Sequence, residues 1–227
     1  PVLLRLTMRS AAVQATKKFA YSEVGGGYRT EDVKKALEML LLAGICTQVV
    51  RTDANGLPLG SESDLSYRKI LILDPGIMLR LLNLSSVDVS KIASEILTEN
   101  LTDLVNKGTL AEMVAGLELL RYKTPNLRHE LYYWVRLAKN SQAEIDYVEA
   151  KDGVLPVEVK AGVKGGMKSL WIFMREKGLT SAVRCSLENF SRFEYVDRDA
   201  SDAIRKVAIY PLYLSLIHIS EPTRRVV

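Results

Sequence analysis

Cysteine and histidine are scarce in this chain of 227 residues, which has two of each. Cys46 and Cys185 lie far apart and show no CxxC spacing, so the sequence indicates neither a disulfide framework nor a thiolate zinc site. Two widely separated histidines exclude a multi-histidine zinc centre. A Ser-His-Asp triad would have to rest on His129, and there is no GxSxG elbow to support it.

Long hydrophobic runs are also missing. The longest, residues 36–45, contains Glu38 and is too short to span a bilayer. Arg5 and Arg9 interrupt the first twelve residues, which therefore do not form a signal peptide. We expect a cytoplasmic protein without a membrane partner. The first residue is Pro rather than Met, which suggests that an upstream part is missing.

What is present is typical of a globular protein, with 48% hydrophobic and 26% charged residues. The length allows one large domain or two small ones. A net charge of +4 permits a nucleic-acid partner such as DNA without requiring one. The sequence leaves the oligomeric state open.

The first third predicts short helices followed by a hairpin. Helical spacing covers residues 10–21 and 30–44, with Thr30 as the expected N-cap. Strands are expected at 45–52 and 69–73, around a turn at 53–56. This order is that of a winged helix, which we assign to residues 1–84. A docking or lid element is the alternative, because the second helix offers few basic residues.

The remainder predicts an α/β domain, α+β overall, at residues 85–214, with a mixed central sheet flanked by helices. A short helix is expected at 77–82, polar residues 85–90 then mark the boundary, and helices of the domain are expected at 91–104, 108–122 and 166–177. Strands are expected at 131–135, 143–149, 154–161, 182–186 and 207–213. Residues 215–227 resemble translated adapter sequence, and we treat them as a non-native or disordered tail.

One hairpin carries the chemistry. Asp152 and Gly153 form a turn signal, and a three-residue loop pairs Ala150 with Val154. A two-residue turn would shift that pairing by one residue and move the side chains to other faces.

In the three-residue register, Asp146 lies opposite Glu158 and Glu144 opposite Lys160, all on one face. The expected residues of the other face are Ile145, Val157 and Val159. Facing carboxylates repel, and a divalent cation such as Mg²⁺ would remove the conflict. Lys160 would then lie beside metal-bound water. The alternative is an exposed face with Glu–Lys pairs, each worth less than about 1 kcal/mol.

Asp146 followed after eleven residues by Glu158-Val159-Lys160 resembles the PD-(D/E)XK nuclease signature. The resemblance implies a restriction-endonuclease-like fold in which Asp146, Glu158 and a helical acid hold Mg²⁺. It implies catalytic roles for Lys160, Glu158 and Asp146. The helical acid matches Glu112, in GTLAEMVAGLELL, and Glu118 is the alternative.

A narrower resemblance is to the C-terminal region of prokaryotic AAA-type ATPases of poorly characterised function. It rests on ELYYW at 130–134, EID at 144–146, PVEVK at 156–160, KSL at 168–170, and the stretch from Tyr67 through Ile77. No Walker A or B motif occurs, since Met167 stands where the Gly before Lys is required. ATP would bind only in the missing ATPase domain, the expected partner in cis.

These resemblances predict Mg²⁺-dependent phosphodiester hydrolysis or DNA binding. The alternative is a non-catalytic nucleic-acid- or protein-interaction module that is accessory to the missing ATPase domain.

Overall fold

The computed structural model describes residues 1–83, 107–123, 129–137, 142–162, 165–198 and 201–212. Within these ranges the protein is mixed α/β, with eight strands in one large mixed sheet and five α-helices. The predicted boundary at 85–90, the helix at 91–104 and the tail at 215–227 lie outside the described residues.

The helices are α1 Val2–Val13, α2 Thr30–Leu42, α3 Pro75–Leu81, α4 Lys107–Tyr122 and α5 Lys168–Glu176. The strands are β1 Cys46–Thr52, β2 Ser63–Ile72, β3 Leu131–Val135, β4 Glu144–Ala150, β5 Val154–Val159, β6 Ser181–Ser186, β7 Ser191–Asp197 and β8 Ala203–Pro211. No described helix is long and apolar enough to cross a membrane.

The sheet runs in the order β2-β1-β3-β4-β5-β6-β8-β7. Three neighbouring pairs are parallel, namely β1 with β3, β5 with β6, and β6 with β8. The remaining pairs are antiparallel. The sheet is therefore mixed, as the sequence predicted.

The hairpin expected to form the wing of a winged helix belongs to this same sheet. β1 pairs with β2 on one side and, in parallel, with β3 on the other, where Val49 lies opposite Leu131. Residues from the first third of the chain are thereby held in fixed register with the strands that carry the acidic residues. The winged-helix assignment itself stays a prediction.

Two apolar clusters form the core. The larger contains Leu37 of α2, Met113 of α4 and Tyr133 of β3. The smaller lies under α5, where the rings of Trp134 and Phe173 are 4.9 Å apart. Because both clusters include sheet residues, the central strands are fixed from the side of α4 and from that of α5.

Several sequence predictions need correction at the element boundaries. The first helix covers Val2–Val13 rather than 10–21, and Thr16 follows it with a φ of +63°. After this helix, the side chain of Gln14 holds the chain by accepting a hydrogen bond from Ala20 N at 2.7 Å and donating one to Ala20 O at 3.1 Å. Thr30 is not the N-cap of α2, because that position is Arg29, which makes no capping side-chain hydrogen bond.

The sequence reading also missed strand β7, which pairs antiparallel with β8. Most of its residues are exposed, and charged Arg192 and Glu194 alternate with Phe193 and Tyr195. The continuous apolar run that marked the buried strands is absent here, although the alternation was a usable signal.

Candidate metal site

Helix α4 places Glu112 over the sheet. Leu110, Met113 and Leu117 are buried at helical spacing and hold this helix against the core. The buried hydroxyl of Tyr147 on β4 donates a 2.6 Å hydrogen bond to the carbonyl oxygen of Glu112. A turn of α4 is thus fixed against the strand that carries the acidic residues.

Strand β4 has an irregularity at the functional residues. β3 and β4 pair Tyr132 with Val148 but Trp134 with Ile145, so β4 has one extra residue in between. Such a bulge breaks the strict alternation of side chains. Asp146 is one of the two residues between Ile145 and Val148.

The bulge overturns part of the sequence prediction. Ile145 was expected on the same face as Val157 and Val159. It packs instead in the smaller cluster with Trp134, while Val157 and Val159 belong to the larger one with Tyr147. The expectation of a uniformly alternating β4 strand was wrong for this reason.

The predicted hairpin register is confirmed where β4 and β5 pair. Ala150 lies opposite Val154, around the loop in which Lys151 N donates to Gly153 O at 3.0 Å. Farther from the turn, Asp146 Oδ2 accepts a 2.7 Å hydrogen bond from Val159 N. The side chain of Asp146 therefore links β4 to β5 beside the expected metal ligands.

Three carboxylates come close together on this side of the sheet. Glu112, Glu144 and Asp146 each offer an oxygen, and these oxygens lie within 4.8 Å of one another. Glu112 and Asp146 were predicted as metal ligands. Glu144 was predicted only as a neighbour on the same face, and it is the most exposed of the three.

A lysine that the sequence analysis did not place at the site lies between these acids. Lys69 of β2 is 1% exposed, and its Nζ is 2.7 Å from Glu112 Oε1 and 2.5 Å from Glu144 Oε1. A sequence signal was available, because Lys69 directly precedes a run of apolar strand residues. A lysine buried with such a run needs an acidic partner to balance its charge. Its partners, however, are distant in sequence.

Glu158 and Lys160 form the adjoining part of the site. Glu158 is 4% exposed, and its Oε1 accepts a hydrogen bond from Lys160 Nζ. Its buried Oε2 has no hydrogen-bond partner among the described residues. Glu118, the alternative helical acid, instead forms an ion pair with Arg121.

Burial raises the pKa of three acids of the site. Burial, with added repulsion from Asp146, raises the pKa of Glu158 to about 7. Burial also raises the pKa of Asp146 and raises that of Glu112 to about 8. Burial acts to lower the pKa of Lys69, but its acidic neighbours, Glu112 first, outweigh this effect and raise it. Lys69 is therefore charged at neutral pH.

The charge balance favours a further cation. Four carboxylates, on Glu112, Glu144, Asp146 and Glu158, face the two ammonium groups of Lys69 and Lys160. With all six ionised, two negative charges would remain unbalanced, and the raised pKa values of Glu112 and Glu158 mean that protons meet part of this deficit when no metal is bound. A divalent ion that prefers oxygen ligands, such as Mg²⁺, fits this donor set, and Glu158 Oε2 has no other partner within the described part of the chain.

The structure therefore defines the protein as a mixed α/β protein with a cluster of acidic residues on its sheet. Two family models match the chain. Domain of unknown function (DUF8612) matches residues 1–88, and Domain of unknown function (DUF4143) matches residues 107–204. Comparison with curated proteins and with solved structures gives no match. Lys69 lies in the first matched segment and the four acids in the second, so both segments contribute to the site.

Proposed function

We propose that the protein is a divalent-metal-dependent phosphodiesterase acting on DNA, with Asp146 and Glu158 as metal ligands. The observation that carries the proposal is the buried Oε2 of Glu158, which has no hydrogen-bond partner among the described residues and lies on the strand whose Val159 N binds Asp146. A buried carboxylate oxygen without a partner is costly, and a bound cation removes that cost. Lys69 contacts Oε1 of Glu112, so Glu112 would act as the third ligand through its other oxygen.

The residues of the chain have distinct parts in this chemistry. The hydrogen bond from Val159 N orients Asp146, and the contact with Lys160 orients Glu158. Lys160 is partly exposed, so its ammonium can hold a nucleophilic water or offset charge that develops on a phosphate. The metal, when bound, would lower the pKa of a water ligand and polarise the phosphate.

The wider proposal is that this chain is the C-terminal part of an AAA-type ATPase, with a winged-helix-like segment and a PD-(D/E)XK-like domain. Its support is the set of motifs at 130–134, 144–146 and 156–160. The EID segment lies on β4, and residues 156–159 of the PVEVK segment lie on β5, which pairs with it. ATP hydrolysis would belong to a separate domain in cis.

A second candidate is a domain that binds DNA without cutting it. The ion pair between Lys160 and Glu158 favours this alternative if it stays closed, since Lys160 then serves only to neutralise a buried acid. The two candidates differ in whether Lys160 has a chemical role beyond charge balance.

Cleavage assays with a matched pair of variants distinguish them. Linear and branched DNA would be incubated with the full chain and Mg²⁺ or Mn²⁺, beside Lys160→Met and the control Lys151→Met. Lys151 lies on the exposed turn of the same hairpin. Cleavage by the wild type and the control but not by Lys160→Met supports the phosphodiesterase. DNA binding with no cleavage in any variant supports the second candidate.

A further inference from the structure

Lys69 makes the contacts expected of a bound cation. Its ammonium contacts carboxylate oxygens from two separate elements, Glu112 on α4 and Glu144 on β4. It is almost completely buried, and its Nζ also lies 4.7 Å from the centre of the Tyr133 ring. Acidic ligands from two elements around a cation, with an aromatic face beside it, form a built cation position.

The acids fall into two groups with Asp146 between them. On one side Glu112 and Glu144 bind the Lys69 ammonium. On the other side Glu158 pairs with Lys160 and keeps one oxygen unpartnered among the described residues. Asp146 is close to the first group, with an oxygen within 4.8 Å of those of Glu112 and Glu144, and it accepts a hydrogen bond from Val159 N, the residue next to Glu158.

We infer that the Lys69 ammonium permanently fills a second cation position, between Glu112 and Glu144, so that the site binds one metal ion rather than two. This inference rests on the metal site proposed above. Nuclease sites with two metals hold the ions about 3.5–4 Å apart, with carboxylates shared between them. Here a side chain from β2 stands at one of the two places, and Asp146 is the acid that lies next to both of its carboxylate partners.

Lys69 belongs to the first matched segment of the chain, so this segment influences how many metal ions the site binds. β2 is held by β1, and β1 by β3, so the ammonium is positioned by the sheet rather than by a loop. The number of metal ions that the acids bind is therefore set by a residue of the first segment that the sheet holds in place.

Calorimetric titration of Mn²⁺ into the full chain tests the inference. We expect one Mn²⁺ per wild-type chain and two per Lys69→Met chain, because Glu112 and Glu144 become free to bind a metal. Lys69→Arg keeps the positive charge and should bind one. The double variant Lys69→Met/Glu144→Gln, which removes a ligand of the new position, should return to one.

The outcomes separate this inference from the proposed function. One Mn²⁺ in both the wild type and Lys69→Met, at equal affinity, would overturn the inference and leave the metal site standing. Two in the wild type would overturn it as well. None in the wild type and one in Lys69→Met would support the cation position and contradict the proposed site at Asp146 and Glu158. None in either protein would overturn both.

Lys69→Met leaves several buried acids unbalanced and is at risk of unfolding without metal. Circular dichroism with and without Mn²⁺ covers that case. We expect Mn²⁺ to restore the folded state of Lys69→Met, since a divalent ion replaces the lost ammonium. Failure of Mn²⁺ to restore the fold would overturn the inference.

Discussion

Asp146 Oδ2 accepts a hydrogen bond from Val159 N at 2.7 Å, and this contact joins β4 to β5 next to the proposed metal ligand. The bond requires an acceptor oxygen but not a charge. The fold therefore requires only an acceptor oxygen from Asp146, whereas the proposed metal site requires its negative charge.

The first prediction follows from that separation. Asp146→Asn keeps an acceptor for Val159 N and removes the charge of a buried carboxyl group whose pKa burial raises. We expect its stability at neutral pH to equal or exceed that of the wild type. Asp146→Ala loses the acceptor as well and should cost about 1–3 kcal/mol relative to Asp146→Asn. Urea unfolding of the three proteins measures both differences, and equal stability of the two variants would contradict the argument.

The second prediction concerns the close contact of α4 with β4. A Cβ at Gly116 would overlap the Tyr147 hydroxyl and lie 2.9 Å from Leu71 Cδ1. Gly116→Ala should therefore destabilise the protein by about 1–3 kcal/mol and displace Glu112. Gly108→Ala, in the same helix, meets nothing within 4 Å and should be neutral or stabilising by up to about 1 kcal/mol. Thermal unfolding compares the pair, and a Gly116→Ala protein as stable as Gly108→Ala would count against the packing.

The third prediction is a pH dependence set by Glu158. Its folded pKa of about 7 lies above its ordinary value of 4.5, so its contribution to stability is full below about pH 4.5 and is lost as the pH rises through about 7. Without added metal, Glu158→Gln should become more stable than the wild type as the pH rises through that window. Chemical unfolding between about pH 4.5 and about pH 7 measures the difference in the free energy of unfolding between the two proteins. A difference that stays constant with pH would show that the folded structure does not raise the pKa of Glu158.

Metal binding should follow the opposite trend. A proton must leave Glu158 before its carboxylate binds a cation fully, so Mn²⁺ affinity should rise between about pH 6 and about pH 8. Calorimetry in two buffers of different ionisation enthalpy reports the proton released on binding. Affinity that is unchanged across this range would place the metal away from Glu158.

The fourth prediction isolates Lys160. In the proposed phosphodiesterase its ammonium acts on the water or the phosphate, so Lys160→Met should lower the single-turnover rate constant for DNA cleavage by about a hundredfold or more. Mn²⁺ affinity should not fall, since the variant removes a positive charge beside the ligands. Single-turnover cleavage together with calorimetry gives both quantities. A loss of metal binding that accounts for all of the lost activity would assign Lys160 a role in charge balance only.

Local signals in the sequence sufficed for part of this architecture. The Asp152-Gly153 turn gave the register of β4 and β5, and the alternation in residues 131–135 gave the bounds of β3. Both depend on residues close together in the chain, where turn chemistry and side-chain period decide the structure.

The remainder depended on contacts between distant segments. Lys69 and Glu112 are 43 positions apart, and nothing near either residue identifies the other. The bulge at Asp146 shows only in the pairing of β4 with β3, and the pairing of β1 with β3 joins the first third of the chain to the rest. Tertiary packing therefore decided the composition of the site, and the sequence could supply candidate acids but not the cation among them.

The metal site is best tested by calorimetric titration of Mn²⁺ into the full chain, with the wild type beside Asp146→Asn. Asp146→Asn is the suitable variant because it should fold at least as well as the wild type. We expect Mn²⁺ to bind the wild type, and we expect binding to be lost, or weakened at least about tenfold, in Asp146→Asn. Equal binding to both proteins, or none to the wild type, would contradict a metal site at Asp146 and Glu158.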